Sequence, residues 1–370
     1  MPRTTRRSVL EALGVGGAAA VAGCTANAPT AAETERQRRT MEQQSKPTVD
    51  RVAADPADIP GPIQRSSPET VEVTLRPEEV TAEIESGVTF DYMTYNGQVP
   101  GPFIRVRERD TVDLTFENPA ENALPHNVDF HAVAGPGGGA EATMTAPGET
   151  ARLRFKATYP GAYIYHCAVP NLDMHISAGM FGIILVEPEG GMPDVDHELY
   201  LGQHEIYTDK PAGEEGKHRF DMASMKREEP TYVVMNGEQY AMTPDVHGPA
   251  ATVSTGDTAR VYFVTGGPNL TSSFHPIGNV WEELYPEGSL SADPQTHIQT
   301  KPVVPGSTTV VTMNFPVPGK FKLVDHALSR VARKGCMAIV TAEGEEDPEI
   351  FDPDPGASGS GGSGESNSQG

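Results

Sequence analysis

The sequence predicts an all-β protein built from two tandem β-sandwich domains, and three observations support this prediction. Short β-type runs, such as residues 152–156 (RLRFK) and 310–315 (VVTMNF), are separated by turns rich in proline and glycine. The chain of 370 residues shows no long amphipathic helix pattern. The chain also repeats itself, which places two similar units in succession.

The repeat consists of several matching segments in the two units. Pro147-Gly-Glu-Thr-Ala-Arg-Leu-Arg-Phe corresponds to Pro305-Gly-Ser-Thr-Thr-Val-Val-Thr-Met, and Tyr95-Asn-Gly-Gln corresponds to Met235-Asn-Gly-Glu. Turn chemistry alone could produce one such match, but several matches in the same order indicate a duplication. We therefore expect domain 1 at 66–190 and domain 2 at 196–345. The charged stretch 209–229 has no counterpart in domain 1 and is predicted to be an exposed loop.

The two ends are predicted to lie outside both domains. Arg6 and Arg7 precede a short Ala- and Gly-rich run that ends in Val-Ala-Gly-Cys24, so residues 1–23 resemble a twin-arginine, lipoprotein-type signal. Cleavage before a lipidated Cys24 would anchor an exported protein to the outer face of the cell membrane. An ordinary cleavage site would instead release it into a periplasm-like space. Residues 24–65 are predicted to be a flexible spacer and residues 346–370 a disordered Gly/Ser tail.

The charge of the chain excludes some partners. The formal net charge is −23, which argues against binding to nucleic acid or to anionic lipid. Nine lysines stand against nineteen arginines. An acidic surface that is poor in lysine suits high salt, where self-repulsion is screened, so we expect a halophilic protein; an acidic mesophilic secreted protein is the alternative.

One segment carries the residue types of a copper site. It reads His166-Cys167-Ala-Val-Pro-Asn-Leu-Asp-Met-His175-Ile-Ser-Ala-Gly-Met180, and His126 lies upstream. Two histidines, one cysteine and a weak axial methionine are the ligand set of electron-transfer copper. The thiolate and the thioether favour Cu(I), whereas the imidazoles tolerate Cu(II). The alternative is a buried cysteine beside incidental histidines and a methionine.

These motifs resemble a known family. The segment HCAVPNLDMHISAGMFGIILVEP, with LPHNVDFHAV upstream, is similar to copper-containing nitrite reductases, which are built from two cupredoxin domains of Greek-key β-sandwich form; the resemblance covers residues 66–345. It implies a type 1 copper held by His126, Cys167, His175 and Met180. The seven residues between Cys167 and His175 resemble a shorter-loop branch that includes outer-membrane lipoproteins.

The resemblance also implies a second copper in each subunit. Successive residues of a strand point to opposite faces, so Cys167 can face one metal and His166 another. By resemblance, His131 and His166 of one subunit and His326 of its neighbour bind a type 2 copper, which implies a homotrimer. Three histidines leave one position open for water or substrate. Such a ligand set would also suit zinc, and it is the nearby type 1 site that favours copper.

Three further residues are implied to serve the reaction, the one-electron reduction of nitrite to nitric oxide and water. Asp129 lies two residues before His131, on the same side of a strand, and the segment Phe-His275-Pro-Ile277 resembles the family's second acid–base histidine and pocket isoleucine. The reaction consumes two protons, so two titratable groups are expected near the metal. A turn or capping role is the alternative for Asp129. The implied electron donor is a small blue copper protein or a c-type cytochrome.

Two rival functions are weaker. A laccase-like multicopper oxidase uses several His-x-His pairs, but this chain has none, and Tyr165 precedes His166 where such a pair would need a histidine. An anchored electron carrier would explain the type 1 ligands but not the remaining motif histidines, which are His131, His166, His275 and His326.

Domain 2 is predicted to have lost its own type 1 copper. Asp325 stands opposite Cys167, and Cys336 stands opposite Met180, so the soft ligands are missing. Cys336 is predicted to be a small buried residue. Five histidines match no ligand motif and are predicted to be surface or structural residues: His197, His204, His218, His247 and His297.

Overall fold

The structure of the protein, a computed structural model, describes residues 29–355. The predicted signal, Cys24 and residues 356–370 lie outside this range. The α-helices of the described residues are α1 (Ala31–Gln43), α2 (Leu172–Ser177), α3 (Met222–Lys226) and α4 (Leu328–Lys334). None of these helices has the length and apolar character needed to cross a membrane.

Most of the remaining regular structure is β. The strands of the described residues are β1 (Thr70–Leu75), β2 (Pro77–Glu85), β3 (Val88–Tyr95), β4 (Ile104–Arg107), β5 (Thr111–Glu117), β6 (Asp129–Phe130), β7 (Thr150–Lys156), β8 (Gly161–His166), β9 (Phe181–Glu187), β10 (His197–Ile206), β11 (Gly216–Lys217), β12 (Tyr232–Met235), β13 (Ala251–Ser254), β14 (Thr258–Gly267), β15 (Ser272–Ile277), β16 (Trp281–Tyr285), β17 (Gln295–Ile298), β18 (Lys301–Val303), β19 (Ser307–Asn314), β20 (Gly319–Asp325) and β21 (Met337–Glu343). The prediction of a mostly β protein is confirmed.

The strands form five sheets. Before residue 190 the sheet orders are β1-β5-β7 and β4-β9-β8-β6, and β2 and β3 pair with the later strand β11. After residue 196 the orders are β12-β10-β14-β19-β16-β17 and β13-β21-β20-β15-β18. Alternation is clear in β5, where Val112, Leu114 and Phe116 are fully buried and the residues between them are partly exposed. Strand β9 is buried along its whole length, which explains its continuous apolar run.

The two halves follow the same local plan around the predicted site. In each half a strand (β8 or β20) is followed by a short helix (α2 or α4), a glycine with positive φ and a second strand (β9 or β21). Gly179 has φ 116° and Gly335 has φ 97°, a region that disfavours other residues. The connection between β8 and β9 carries Cys167, His175 and Met180, so the shared plan places the candidate ligands at one end of the sandwich.

Two apolar clusters form the interior. The larger contains the buried side chains of the first half, and it also takes in Tyr200, Tyr262 and Tyr285 from the second. The smaller lies within the second half around Trp281, Phe274 and Phe263. Each fully buried large side chain contributes on the order of 2 kcal/mol to folding. The larger cluster extends to Cys167 and Met180, so the apolar core continues up to the candidate site.

The prediction of a flexible spacer at 24–65 is wrong over its described part. Helix α1 begins with a capping box in which Glu33 N donates to the Thr30 hydroxyl and Thr30 N donates to Glu33. Its charges pair within the helix, as between Arg38 and Glu35 at 2.8 Å. A segment of polar composition therefore forms a helix, because its charged residues pair with one another.

The chain after α1 is also ordered by packing. Val52 and Ala53 are buried, and their amides donate to Oε1 of Glu238 at 2.8 and 3.0 Å. The amide of Ala54 donates to the carbonyl of Val99 at 3.0 Å. These bonds join the segment to loop residues in both halves of the chain. Sequence composition gave no sign of them because the partners lie far away in the sequence.

The prediction of an exposed loop at 209–229 is also wrong in part. Strand β11 pairs with β3 in parallel, and helix α3 follows it. His218 and Met225 are buried in this segment. Two buried side chains and two pairs of ladder residues therefore join this charged insertion to the body of the protein.

Candidate metal centres

The first candidate centre is a buried group of one thiol and two imidazoles. The Sγ atom of Cys167 lies 3.5 Å from Nδ1 of His175 and 4.0 Å from Nδ1 of His126. All three side chains are fully buried, and one potential ligand atom from each lies within 4.8 Å of the other two. Cys167 directly follows β8, His175 is on α2, and His126 precedes β6. A dry site with one sulfur and two nitrogen donors fits copper.

The electrostatics of this centre favour a thiolate. Burial raises the pKa of the Cys167 thiol, but the charge of His175 and hydrogen bonds to His126 and His175 outweigh burial and hold the pKa well below its usual range. The Nε2 atom of His175 is buried and has no hydrogen-bond partner among the described residues. A thiolate is the form of cysteine that binds a metal, so the centre is chemically prepared for one.

Met180 is joined to this centre through its backbone. Its amide donates to the carbonyl of His175 at 3.1 Å, and its carbonyl accepts the amide of Cys167 at 3.2 Å. The Met180 side chain is fully buried. The backbone of the predicted axial ligand is therefore fixed to both neighbouring ligands.

Asn127 holds the two ligand loops together, and the sequence analysis missed it. Its Oδ1 accepts the amide of Ala168 at 2.7 Å and lies 3.6 Å from Sγ of Cys167. Its Nδ2 donates to the carbonyl of Ala140 at 3.0 Å. The position directly after His126, inside the quoted motif, is the only signal in the sequence that could have identified it.

A carboxylate contacts the other side of His126. Oε1 of Glu79 lies 3.2 Å from Nε2 of His126, and Lys46 Nζ donates to Glu79 Oε2 at 2.7 Å. Burial opposes ionisation of Glu79, but the hydrogen bonds and charges of His126 and Lys46 outweigh it and lower its pKa to about 2. Burial opposes protonation of His126, but hydrogen bonds to Cys167 and Glu79 and the charges of these two residues outweigh it and raise the pKa of His126 to about 9. Neither Lys46 nor Glu79 lies in a recognisable motif.

The second candidate centre is more exposed and lies next to the first along the chain. Asp129, His131 and His166 each place a potential ligand atom within 4.8 Å of the other two. The two Nε2 atoms of His131 and His166 are 3.1 Å apart, and β6 pairs with β8 so that Asp129 faces His166. Two imidazole nitrogens on one tetrahedral metal would be separated by roughly 3.3 Å, given metal–nitrogen bonds of about 2.05 Å.

The imidazoles of the second centre are oriented for metal binding. Nδ1 of His166 donates to the carbonyl of Cys167 at 3.0 Å, which leaves Nε2 free to bind a metal. Burial and then the charge of His166 lower the pKa of His131, with Asp129 acting in the opposite direction. A neutral imidazole is the form that binds a metal, so both effects favour occupancy.

A third group of predicted residues lies together, apart from the second centre. The rings of His275 and His326 are 5.0 Å apart, and His275 Nδ1 donates to the carbonyl of Gln299 at 2.6 Å. His326 is exposed, and Ile277 is 37% exposed. Among the described residues of one chain, neither histidine belongs to a potential metal-binding group.

The position in the second half of the chain that corresponds to the first centre holds an ion pair. Asp325 is fully buried, and Oδ2 accepts Arg330 Nη1 at 2.5 Å and Gln203 Nε2 at 3.1 Å. Cys336 is buried too and donates through Sγ to Oε1 of Gln203 at 3.3 Å. Neither Cys336 nor Cys167 forms a disulfide. This polar group leaves no soft ligand pair for a metal.

The histidines outside the motifs occupy other environments. His197 contacts Asp257 at 2.9 Å, and His247 contacts Glu238 at 2.7 Å. His204 and His218 are fully buried. His297 is exposed on β17. None of the five belongs to a potential metal-binding group among the described residues.

Comparison with known proteins gives the relationship of the chain. A family model described as "Multicopper oxidase" matches residues 77–191. A copper-containing nitrite reductase of Neisseria meningitidis serogroup B is 44% identical over 305 residues, which cover 82% of this chain and 77% of that protein.

Solved structures agree. A copper nitrite reductase from Nitrosomonas europaea is 33% identical with a TM-score of 0.67, covering 76% of this chain and 96% of that one. A structure described as a multicopper oxidase is 27% identical with a TM-score of 0.62, covering 74% and 89%. At 44% identity over most of both chains, the relationship to the Neisseria protein decides the assignment. The chain belongs to the copper-containing nitrite reductase family.

Proposed function

We propose that the protein reduces nitrite to nitric oxide and water, consuming one electron and two protons in each turnover. The observation that carries this proposal is the adjacency of the two candidate centres. Cys167 belongs to the first candidate centre, here called the buried centre, and His166 to the second, here called the exposed centre. The two residues are adjacent in the chain and are joined by one peptide bond. An electron received at the buried centre then has a short covalent path to the centre that substrate can reach.

The donor sets fit two copper ions in each subunit. His126, Cys167, His175 and Met180 would hold a type 1 copper. His131 and His166 would hold a type 2 copper together with the partner subunit's His326. When bound, the coppers supply one-electron transfer and a Lewis-acid position for nitrite.

The chain's own residues manage the protons. Asp129 lies beside His131 and His166, so its protonated carboxyl group can donate a proton to an oxygen of nitrite bound there. His275 donates through Nδ1 to the carbonyl of Gln299, so in the protonated imidazole Nε2 carries the second proton and can deliver it. With the one electron that the reduced donor supplies, these two protons convert NO₂⁻ to NO and H₂O. Ile277 presents a partly exposed apolar side chain that limits where nitrite can lie.

A homotrimer would complete these sites. His275 is partly buried and His326 is exposed, and neither belongs to the exposed centre of the same chain. A neighbouring copy can bring this pair to His131 and His166. Each subunit would give one surface and receive the other, and such heterologous contacts close into a ring when the rotation permits.

The cellular setting is also a proposal. The signal-like residues 1–23 and Cys24 support an exported protein with a lipid anchor on the outer face of the cell membrane. The acidic, lysine-poor composition supports activity at high salt. Reduced small blue copper proteins or c-type cytochromes are the proposed electron donors.

Replacement of His326 tests the proposed function. The copper-loaded His326→Ala protein should keep the visible band of the buried centre and lose at least 100-fold of its anaerobic nitric oxide production. His297→Ala, which alters an exposed histidine outside every candidate centre, is the matched control and should keep full turnover. Full turnover in His326→Ala would contradict the proposal. A loss of the visible band would contradict the ligand assignment.

An oxidase is the second candidate function, because a multicopper oxidase model matches residues 77–191. An oxidase would consume oxygen with a phenolic reductant at rates that do not depend on nitrite. We expect no such turnover, since the chain contains no His-x-His pair. An oxygen electrode measures it directly.

A further inference from the structure

A chain of buried charged and polar groups runs from the N-terminal segment to a ligand of the buried centre. Lys46 Nζ lies 2.7 Å from Oε2 of Glu79, and only 2% of either side chain is exposed. The other oxygen of Glu79 lies 3.2 Å from Nε2 of His126. His126 turns Nδ1 toward Cys167, so Nε2 is the nitrogen that donates to the carboxylate.

The carboxylate of Glu79 is fixed independently of Lys46. Oε1 also accepts the amides of Ala123 and Leu124, both at 2.9 Å. The amide of Glu79 donates to Oδ1 of Asn122 at 3.1 Å. Oε1 of Glu79 is therefore the shared acceptor for the His126 imidazole and for the loop that precedes His126.

The segment that supplies Lys46 also contacts the loop that carries the second imidazole. The hydroxyl of Thr34 on α1 donates to Oδ1 of Asn171 at 2.9 Å, and Gln37 Nε2 donates to the carbonyl of Pro170 at 3.3 Å. Asn171 is the residue directly before α2, which carries His175. Residues 30–46 thus contact the surroundings of both histidines of the buried centre.

We propose that Glu79 and Lys46 are positioning residues of the buried centre that set its reduction potential through His126. This inference rests on the proposed function only in that it requires copper in the buried centre. Glu79 fixes the tautomer of His126, and its negative charge makes the imidazole a stronger donor, which favours Cu(II) and lowers the potential. Lys46 lies on the far side of the carboxylate and partly cancels that charge, which raises the potential.

The arrangement predicts that substitution of Glu79 and substitution of Lys46 shift the reduction potential of the buried centre in opposite directions. Removing the negative charge of Glu79 favours the reduced centre, so Glu79→Gln raises the potential. Removing the positive charge of Lys46 exposes the centre to the full carboxylate charge, so Lys46→Met lowers it. An ion pair that only held the N-terminal segment in place would give no such difference in sign.

The experiment is a spectroelectrochemical titration of the visible band in the full-length, copper-loaded protein without nitrite. Four forms are compared: wild type, Glu79→Gln, Lys46→Met, and the double variant, which carries neither charge and should lie between the single variants. Lys217→Met is the matched control, because Lys217 forms a 2.7 Å ion pair with Asp91. Among the described residues, Asp91 accepts from the hydroxyl of Thr81 and has no hydrogen bond to a ligand of the centre. The control should leave the potential unchanged.

Three outcomes bear on the inference. Shifts of opposite sign support it. Single variants that keep the band and both leave the potential unchanged, or shift it in the same direction, overturn it. If one single variant does not fold, the other is compared with the double variant, and no difference between them overturns the inference. The titration needs no nitrite, so absence of nitric oxide production would count only against the proposed function.

Discussion

The ion pair between Asp325 and Arg330 gives the sharpest stability prediction. Asp325 accepts four hydrogen bonds: Oδ2 from Arg330 and Gln203, and Oδ1 from the amides of Ser273 and Ala327 at 3.0 and 3.1 Å. Asp325→Ala removes all four acceptor contacts at once. Arg330 then keeps only its bond to a backbone carbonyl, that of Thr271.

The magnitude follows from these contacts. Breaking a buried ion pair by removing one partner costs about 3–5 kcal/mol. The Arg330 side chain is 19% exposed and can reach water, which favours the lower end. Two backbone amides lose their acceptor, at about 0.5 kcal/mol each where some solvent can enter. We expect Asp325→Ala to lower the free energy of unfolding by about 4 kcal/mol, or about 8–16 °C in Tm for a unit of this size.

Calorimetry of the copper-free protein measures this cost without the contribution of bound metal. Arg333→Met is the control, because Arg333 is an exposed residue of the same helix α4. It should change the Tm by less than 2 °C. Asp325→Asn, which keeps an oxygen acceptor, should cost less than Asp325→Ala. An Asp325→Ala protein with the Tm of the control would refute the argument that this ion pair stabilises the fold around it.

Two further predictions concern the exposed centre and the pH dependence of stability. Gly138 has φ 56°, and a Cβ atom there would lie 1.8 Å from Oδ1 of Asp129. Gly138→Ala should therefore displace that carboxylate and lower nitric oxide production at least tenfold, with an unchanged visible band. Full activity in this variant would argue against a role for Asp129. Burial lowers the pKa of His204 to about 4 in the folded protein. In the unfolded chain this histidine becomes protonated as the pH falls below about 6.5, which favours the unfolded state. Stability should fall by about 2 kcal/mol between pH 7 and pH 5 from this group alone. Urea unfolding should show a flatter pH profile in His204→Asn, and an unchanged profile would contradict the assignment.

Much of the candidate site could be predicted from local sequence. Cys167, His175 and Met180 lie within one connection, so a short motif contains them. Strand alternation was enough to expect Asp129 and His131 on one side, and the structure brings both to His166. The prediction that the chain is a copper-containing nitrite reductase is confirmed at the level of the family. The roles of the individual residues remain predictions.

Other features depend on contacts that no local pattern contains. Glu79 and Lys46 are 33 residues apart, and Glu79 is 47 residues from His126, so only the folded chain reveals their connection. Helix α1 has no apolar stripe, because it pairs its own charges and contacts the body through polar side chains. A composition typical of disorder was therefore misleading, and the N-terminal segment proved to be part of the structure.

The central claim is that the paired centres turn over nitrite. The direct measurement is anaerobic nitric oxide release, followed with an electrode, after wild-type copper-loaded protein is mixed with nitrite and a chemical reductant in high salt. We predict catalytic release of one nitric oxide molecule for each reducing equivalent consumed. A protein with both centres filled, whose visible band is reduced and reoxidised while no nitric oxide forms, would contradict the claim and make an electron carrier the better description.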